Sequence, residues 1–199
     1  DGAAYFDGVN DYINADGLAT GGDFAEDGAW TFSCWFMNTD TADSSETSNI
    51  LFSFHSGTTT NQIRVGLNQN LTGNYVNGGI FYADSRTSNI VMTDNDDPDD
   101  GTQFVSGWHH LAITRPAGAG FQNSYCYVDG ILQQYAWKVS DGTAYNSGTF
   151  QTDPFTTTLT KFSIGQEYDA ADPPTITDEF KGYICNVGAW DAQLTQPQI

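Results

Sequence analysis

Two adjacent histidines are the first side chains in this sequence that could support catalysis. A nucleophilic triad needs a histidine held between a serine and an acid. His109 and His110 lie in a strand-like run, so their side chains should point to opposite faces of a sheet. The sequence also lacks the Gly-x-Ser-x-Gly turn that exposes a serine nucleophile. We therefore expect both histidines to have packing or edge roles.

The acidic run at residues 94–101 is a candidate for binding a metal ion. Calcium takes about six to eight oxygen ligands from carboxylates, amides and backbone carbonyls. The run supplies carboxylates, but Pro98 stands three places before Gly101, where a calcium loop would need an oxygen ligand. A solvated acidic loop is therefore the favoured interpretation of this run.

Aromatic side chains in polar segments are candidates for sugar binding, because sugars stack on exposed rings that have polar groups beside them. Tyr135 and Trp137 follow a predicted hairpin in a polar context and are the strongest candidates. Tyr75, Tyr145 and Tyr168 are weaker ones. The aromatic residues that fall in strand patterns are expected in the core: Trp30, Phe32, Trp108 and Trp190.

The charge of the chain is strongly acidic. There are 25 acidic residues against 6 basic ones, which gives a net charge of −19. Such a surface repels a nucleic-acid backbone or an anionic membrane, so neither is expected as a partner. It suits salty water, divalent cations or neutral sugars, although solubility alone explains it equally well. No apolar run reaches the length that spans a membrane, so membrane insertion is not expected.

The three cysteines, Cys34, Cys126 and Cys185, each lie in an apolar, strand-like run, and none belongs to a Cys-x-x-Cys pair. Buried free thiols are the favoured interpretation. A single disulfide with one thiol left over is the alternative.

Short β-strands must position these residues. In segment 30–36, alternate residues including Trp30 and Phe36 share one apolar face, while Trp35 points to the other, a pattern typical of a sandwich strand. Residues 14–29 are predicted to be a loop, and at most one helical turn follows Asp191. Other expected strands are 5–6, 12–13, 50–54, 62–67, 79–82, 89–92, 159–165 and 180–190. With no linker or composition break, residues 1–199 are predicted to form one domain.

Two further segments form the centre of the predicted sheet. Residues 107–115 alternate, which places Trp108 and His110 on the same face. Residues 125–132 run through Asp129-Gly130, and such a pair flanked by β-forming residues is a strong hairpin signal. Because two strands with a tight turn are not stable alone in water, the remaining chain must supply more sheet.

These central segments also resemble a known family. Trp-His-His-Leu-Ala-Ile-Thr at 108–114, followed by Tyr-Val-Asp-Gly at 127–130, is similar to the central motif of laminin-G-like domains of the concanavalin A-like lectin/glucanase superfamily. Residues 5–13 resemble the family's first hairpin, and residues 180–195 resemble its closing strand and the turn after it. The resemblance implies an all-β fold, a two-sheet antiparallel β-sandwich of the concanavalin A-like jelly-roll type.

The resemblance does not extend to catalysis. Glucanases of the superfamily place paired acids at strand spacing, so that both face one groove. The sequence has four glutamates: Glu26, Glu46, Glu167 and Glu179. None of them begins such a run, and the nearest approach to one is Glu167-Tyr168-Asp169. We therefore expect no catalytic residues and no enzymatic activity.

Members of the family often hold a structural calcium ion where the first hairpin meets the last strand. The matching residues of the first hairpin are Asp7, Asn10 and Asp11. The last strand lacks the family's carboxylates at 184–187, so Asp178 or Glu179 would have to contribute instead.

The sequence as a whole predicts a non-catalytic carbohydrate-binding or adhesion module, displayed on an extracellular or virion surface. We expect no nucleic acid as a partner. The chain also looks like a segment of a longer protein. The alternative is a structural module of a phage particle, in capsid decoration or a tail fibre, whose partners are neighbouring virion proteins and not a glycan. Carbohydrate binding is what the resemblance implies, since a fold alone does not fix a function.

Overall fold

The computed structural model describes residues 2–20, 28–39, 48–55, 62–68, 80–84, 87–92, 107–117, 125–133, 160–168 and 176–199. Their strands, in chain order, are β1 (Ala4–Asp7), β2 (Ile13–Asn14), β3 (Trp30–Asn38), β4 (Ser48–His55), β5 (Gln62–Asn68), β6 (Ile80–Asp84), β7 (Thr87–Met92), β8 (His109–Arg115), β9 (Tyr125–Val128), β10 (Ile131–Leu132), β11 (Lys161–Ile164), β12 (Glu167–Tyr168), β13 (Ile176–Thr177) and β14 (Lys181–Trp190). One short helix, α1 (Asp16–Thr20), and a 3-10 helix at Gln196–Gln198 complete them. No helix among these residues is long and apolar enough to cross a membrane.

The strands form two six-stranded antiparallel sheets that enclose one hydrophobic core. Sheet A has the order β1-β14-β3-β8-β9-β10, and sheet B has the order β2-β11-β4-β5-β6-β7. The short strands β12 and β13 pair with each other in a third sheet. This arrangement confirms the predicted all-β sandwich, including the predicted strands that form its centre.

The core is built from the alternating faces of the central strands. Phe32 and Phe36 of β3 are 1% and 0% exposed, whereas Trp35 between them is 39% exposed. The ring of Phe32 packs across the sandwich on Phe52 of β4, with the ring centroids 3.7 Å apart. Because each fully buried phenylalanine contributes about 1.5 to 3 kcal/mol, this face accounts for much of the stability. The predicted assignment of the two faces of β3 is confirmed.

The first two strands do not form the predicted hairpin with each other. β1 pairs with β14 in sheet A, whereas β2 pairs with β11 in sheet B. The turn between them is held by Asp7 and Asp11, because the Asp7 amide donates to Asp11 Oδ2 at 3.0 Å and the Val9 amide to Asp7 Oδ1 at 2.8 Å. The N-terminal segment therefore joins the edges of the two sheets.

The prediction that residues 14–29 form only a loop was wrong for α1. Asp16 accepts hydrogen bonds from the Lys161 ammonium at 2.8 Å and the Phe162 amide at 3.1 Å. These contacts with β11 hold a five-residue helix whose sequence, Asp-Gly-Leu-Ala-Thr, has low intrinsic helix propensity. The predicted helical turn after Asp191 is confirmed by the 3-10 helix at Gln196–Gln198.

All three cysteines are free thiols in the structure. Cys34 and Cys126 are buried, and Cys185 is partly exposed. Burial, with the nearby Cys185 as a smaller cause, raises the pKa of Cys34 to about 12, and burial also raises the pKa of Cys126. Since only a thiolate is a good nucleophile, the two buried cysteines serve as small apolar core residues.

Gly165 is a point of close contact between the sheets and gives a test of the fold. Its φ is +87°, and a Cβ added there would overlap the ring of Phe6. We expect Gly165→Ala to lower the free energy of unfolding by about 2 to 5 kcal/mol, from overpacking and a left-handed backbone. Urea denaturation monitored by tryptophan fluorescence measures this loss.

Gly130→Ala is the matched control for this substitution. Gly130 also has a positive φ, +76°, but an added Cβ would meet no atom within 4 Å. We expect Gly130→Ala to lower the free energy of unfolding only by the cost of a left-handed backbone, about 1 to 2 kcal/mol. Equal losses of unfolding free energy in the two variants would show that the contact between Gly165 and Phe6 does not limit packing.

Candidate functional site

Three aromatic rings lie side by side on the outer face of sheet A, the face that points away from the core. Tyr5 of β1 is directly opposite Tyr183 of β14, which is opposite Met37 of β3. Trp108 lies on the same face, one position before β8. The ring centroids of Tyr5 and Tyr183 are 5.0 Å apart, and those of Tyr183 and Trp108 are 6.3 Å apart. We call Tyr5, Tyr183 and Trp108 the aromatic row.

The aromatic row is open to solvent. Tyr5 is 52% exposed, Trp108 is 41% exposed, and Tyr183 is half-buried between them. Next to the row, Trp35 of β3 is opposite His110 of β8, and their ring centroids are 5.3 Å apart. The face therefore presents apolar ring surfaces together with phenol, indole and imidazole groups that can form hydrogen bonds.

A second part of the same outer face is covered by residues 191–199. The Thr31 hydroxyl of β3 donates to the Ala192 carbonyl at 2.7 Å and accepts from the Leu194 amide at 2.8 Å. Further along, the Gln196 side chain donates to the Gly130 carbonyl at 3.0 Å. The Thr31 contacts lie at the other end of β3 from the aromatic row, and the Gln196 contact lies at the turn between β9 and β10, so Tyr5 and Trp108 stay exposed.

Asp129 fixes the start of β8 beside the aromatic row. It occupies the turn between β9 and β10 at φ +53°, followed by Gly130 at +76°, as expected for a tight hairpin turn. Its carboxylate accepts from the His110 amide at 2.8 Å and contacts His109 Nδ1 at 2.9 Å. The Asp129 amide in turn donates to the His110 carbonyl at 2.8 Å. The predicted hairpin is confirmed, and its aspartate braces both histidines.

The surroundings of Asp129 and His110 set the charge states of these two side chains. Burial alone would raise the pKa of Asp129, but the hydrogen bonds from His109 and the His110 amide hold that pKa below its ordinary value. Burial lowers the pKa of His110, and the charge of Asp129 only partly offsets this. At neutral pH the turn therefore carries an ionised carboxylate, and His110 is an uncharged imidazole beside Trp35.

Two aromatic residues predicted to be buried are exposed instead. Trp108 and Trp190 are 41% and 40% exposed, whereas Trp30 and Phe32 are in the core, as predicted. Trp108 lies before its strand begins, on the outer face, and the Trp190 ring packs over Gly188 on the same outer face. The strand pattern places a side chain on a face, but it does not indicate whether that face is covered.

The predicted sugar-binding residues are not those of the aromatic row. Tyr75, Tyr135, Tyr145 and Trp137 lie outside the described residues, as do the acidic run at 94–101 and Asp169. Tyr168 is described only in its backbone, which pairs with Ile176. A sequence signal for the row did exist, because Trp108 shares its predicted face with His110.

The five predicted calcium ligands fall into two groups. Asp7, Asn10 and Asp11 form the hydrogen-bonded turn after β1, where the Asn10 amide lies 3.4 Å from Asp7 Oδ1. Asp178 and Glu179 precede β14, and Asp178 Oδ2 lies 3.9 Å from Arg64. In the described ranges no group of three His, Cys, Asp or Glu side chains could hold a metal ion. The calcium site therefore stays a prediction.

A buried ion pair occupies the outer face of sheet B. Arg64 of β5 contacts both carboxylate oxygens of Glu167 at 2.7 Å, and Glu167 is 1% exposed. Nearby, the hydroxyls of Ser53 and Ser163 donate to the Gln166 carbonyl at 2.9 and 3.0 Å. Glu167 was the nearest approach to a catalytic acid in the sequence, and its pairing with Arg64 gives it a structural role.

Comparison with known proteins gives structural matches only. No family profile and no curated protein sequence matches this chain. A NanB structure with optactamide has a TM-score of 0.63 and 12% identity, covering 100% of this chain and 26% of that one. Domains LG4-5 of the mouse laminin alpha1 chain have a TM-score of 0.52 and 10% identity, covering 97% of this chain and 44% of that one.

A Bacteroides ovatus protein described as carbohydrate-binding has a TM-score of 0.56 and 18% identity, covering 98% of this chain and 45% of that one. This chain therefore spans less than half the length of each of these three structures. At these identities the likeness shows the fold. The chain has the laminin-G-like, concanavalin A-like jelly-roll fold, which confirms the resemblance found in the sequence.

The Asp129 turn predicts a specific dependence of stability on pH. Asp129→Asn should lower the free energy of unfolding at pH 7 by about 1 kcal/mol, a modest value because the carboxylate is partly exposed and screened. Since the folded-state pKa lies below the unfolded value of about 3.9, the wild-type advantage is present above that pH and is lost as the pH falls through the folded-state pKa. Urea denaturation of the wild type and of Asp129→Asn at pH 7 and pH 3 measures this difference in unfolding free energy.

Asp191→Asn is the control, because Asp191 has no hydrogen-bond partner in the described part of the chain. It should unfold like the wild type at both pH values. A constant difference between Asp129→Asn and the wild type from pH 7 to pH 3 would contradict a role for the ionised carboxylate.

Proposed function

We propose that this chain is a non-catalytic carbohydrate-binding module and that the aromatic row on sheet A is its binding surface. The observation that carries the proposal is the position of the exposed rings of Tyr5 and Trp108 on either side of the half-buried Tyr183 on one sheet face. Soluble proteins bury most large aromatic rings, so a contiguous exposed group of them indicates an interaction surface.

The chemistry of sugars suits this surface. The faces of a sugar ring carry C–H groups that pack on an aromatic ring, while the hydroxyls at its edge need hydrogen-bond partners. Tyr5 and Tyr183 offer phenol groups, and Trp35 and His110 add ring N–H groups beside the row. The Bacteroides ovatus structure, which is described as carbohydrate-binding, supports the same class of function.

The absence of catalysis is part of the proposal. Glu167 is engaged with Arg64, and Asp129 is engaged with both histidines. An acid that is fully used in structural hydrogen bonds is poorly placed to exchange protons with a substrate. We also propose that the module acts at an extracellular surface, where glycan ligands are found.

The structural module of a phage particle stays the alternative from the sequence, with neighbouring virion proteins as partners. The two functions differ in what the aromatic row contacts, a glycan or another protein. Co-purification of the chain with virus particles, together with silence on a glycan array, would favour the alternative.

A tryptophan substitution tests the binding surface. We expect Trp108→Ala to weaken glycan binding about tenfold, because loss of one stacked ring costs about 1.4 kcal/mol. A glycan array identifies the ligand, and isothermal titration calorimetry measures the dissociation constant of each variant.

Trp190→Ala is the matched control, because Trp190 is equally exposed on the same sheet but lies outside the aromatic row. It should bind like the wild type. If both variants lost binding equally, or if neither did, the ligand would bind somewhere other than the row.

Calcium binding by Asp7, Asn10 and Asp11, completed by Asp178 or Glu179, stays a proposal carried by the resemblance alone. A calcium ion at 100 times its dissociation constant adds about 2.7 kcal/mol of stability, which raises the melting temperature by about 5 to 11 °C. If the site exists, melting in calcium exceeds melting in chelator by this amount, and Asp7→Asn removes the difference. Identical melting curves in calcium and in chelator would refute it.

A further inference from the structure

We propose that the aromatic row binds a single free chain of an uncharged oligosaccharide. The oligosaccharide lies across the strands, and its orientation changes from one sugar to the next. This inference rests on the carbohydrate-binding function proposed above. It adds three properties of the ligand: its length, its physical form and its charge. Each property follows from a different observation on Tyr5, Tyr183, Trp108 and their neighbours.

The length follows from the direction of the row. Tyr5, Tyr183 and Trp108 succeed one another across β1, β14, β3 and the start of β8, at right angles to the strands. The centroid distances of 5.0 and 6.3 Å between successive rings give the row a length of up to about 11 Å. A single sugar covers one ring of such a row, so only an oligosaccharide can contact all three. Met37, which lies between Tyr183 and Trp108, keeps the surface apolar along its length.

The physical form follows from the tilt of the rings. The planes of Tyr5 and Tyr183 differ by 49°, and those of Tyr183 and Trp108 differ by 50°. A polysaccharide crystal presents parallel sugar faces, which cannot stack on successive rings that are tilted in this way. A free chain can rotate about each glycosidic bond and meet one tilted ring after another. The row therefore suits soluble chains and excludes crystalline surfaces.

That the ligand is uncharged follows from the surroundings of the basic side chains among the described residues. Of their basic side chains, Arg64 contacts Glu167 and Lys161 contacts Asp16, both at sheet B. Arg115 is 2% exposed at the far end of β8. Lys181 is exposed on sheet A, but its cross-strand neighbour is Asp7. Among the described residues, an anionic sugar on the row would find one exposed ammonium, that of Lys181 opposite Asp7, and would lose part of its hydration.

The acidic groups around the row act in the same direction. Asp7 lies at one end of it, and the ionised Asp129 lies beside the other end, next to His110. The chain as a whole has a net charge of −19. A carboxylate or sulfate on the ligand would therefore be repelled on approach, whereas a neutral sugar is unaffected.

Calorimetric titrations with soluble probes test the length of the ligand. The probes are neutral gluco-, manno- and galacto-oligosaccharides, each as the single sugar, the trimer and the hexamer. For the series that binds, we expect the trimer to bind at least about tenfold more tightly than the single sugar. The hexamer should add little, because the row ends at Tyr5 and Trp108. Equal binding of the single sugar and the trimer would overturn the extended site.

A substitution at one end of the row places the site. Tyr5→Ala should remove most of the gain in affinity from single sugar to trimer, because it removes the ring at one end of the row. Tyr125→Ala is its control, because Tyr125 is 42% exposed on sheet A and lies outside the row. Retention of the full length dependence in Tyr5→Ala, or its loss in Tyr125→Ala, would overturn the placement.

Matched probes test the charge and the physical form. The binding trimer is compared with the same trimer carrying a sialic acid or a sulfate, and with the insoluble crystalline polymer in a pull-down. We expect the acidic trimers to bind at least about tenfold more weakly at low salt, and the crystalline polymer not to retain the protein. Equal or stronger binding of an acidic trimer, or retention on the polymer, would overturn the corresponding property.

The outcomes separate this inference from the function on which it rests. Failure of every probe to bind, soluble or insoluble, would count against carbohydrate binding altogether. Binding of a single sugar, an acidic glycan or a crystal would keep carbohydrate binding and reject the proposed ligand. Circular dichroism of each variant confirms that a loss of binding does not come from unfolding.

Discussion

The strict alternation of side chains along β3 and β8 is the constraint on which the rest of this structure depends. It sends Phe32, Phe36 and their neighbours into the core and sends Trp35 and His110 to the outer face. A shift of one residue in the pairing of these strands would exchange the two faces. The bonds of Asp129 to both histidines oppose such a shift, because they fix the start of β8 against the turn after β9. The core and the candidate binding surface are thus products of the same register.

Much of this architecture could be predicted from the sequence, because period-two patterns and tight turns are local signals. The faces of β3, the Asp129-Gly130 turn and the closing strand β14 all follow from such patterns. The pairing of β1 with β14 and of β2 with β11 does not, since it depends on partners more than a hundred residues away. The short helix α1 was also missed, because its stability comes from Lys161 and Phe162 and not from its own sequence.

The candidate site was harder to predict than the fold, for a physical reason. A strand pattern tells which residues share a face, but it does not tell whether another segment covers that face. Residues 191–199 cover Thr31 and leave Trp108 exposed, and nothing near Trp108 in the sequence reveals this. The calcium expectation stays a prediction, and Asp7 and Asp11 also accept hydrogen bonds from backbone amides of their turn. Carboxylates that satisfy backbone amides look the same in a sequence as carboxylates that hold a metal.

The pairing of β1 with β14 also has a mechanical consequence. The two strands are antiparallel, with Ala4 opposite Ile184 and Asp7 opposite Lys181. The start of β1 and the end of β14 therefore point toward the same end of the sheet. Tension applied between these two points would load the Ala4 pair first and then each following pair in turn, so that β1 peels away instead of shearing as a unit. Since Tyr5 sits on β1, such a pull would dismantle the aromatic row before it disturbed the core.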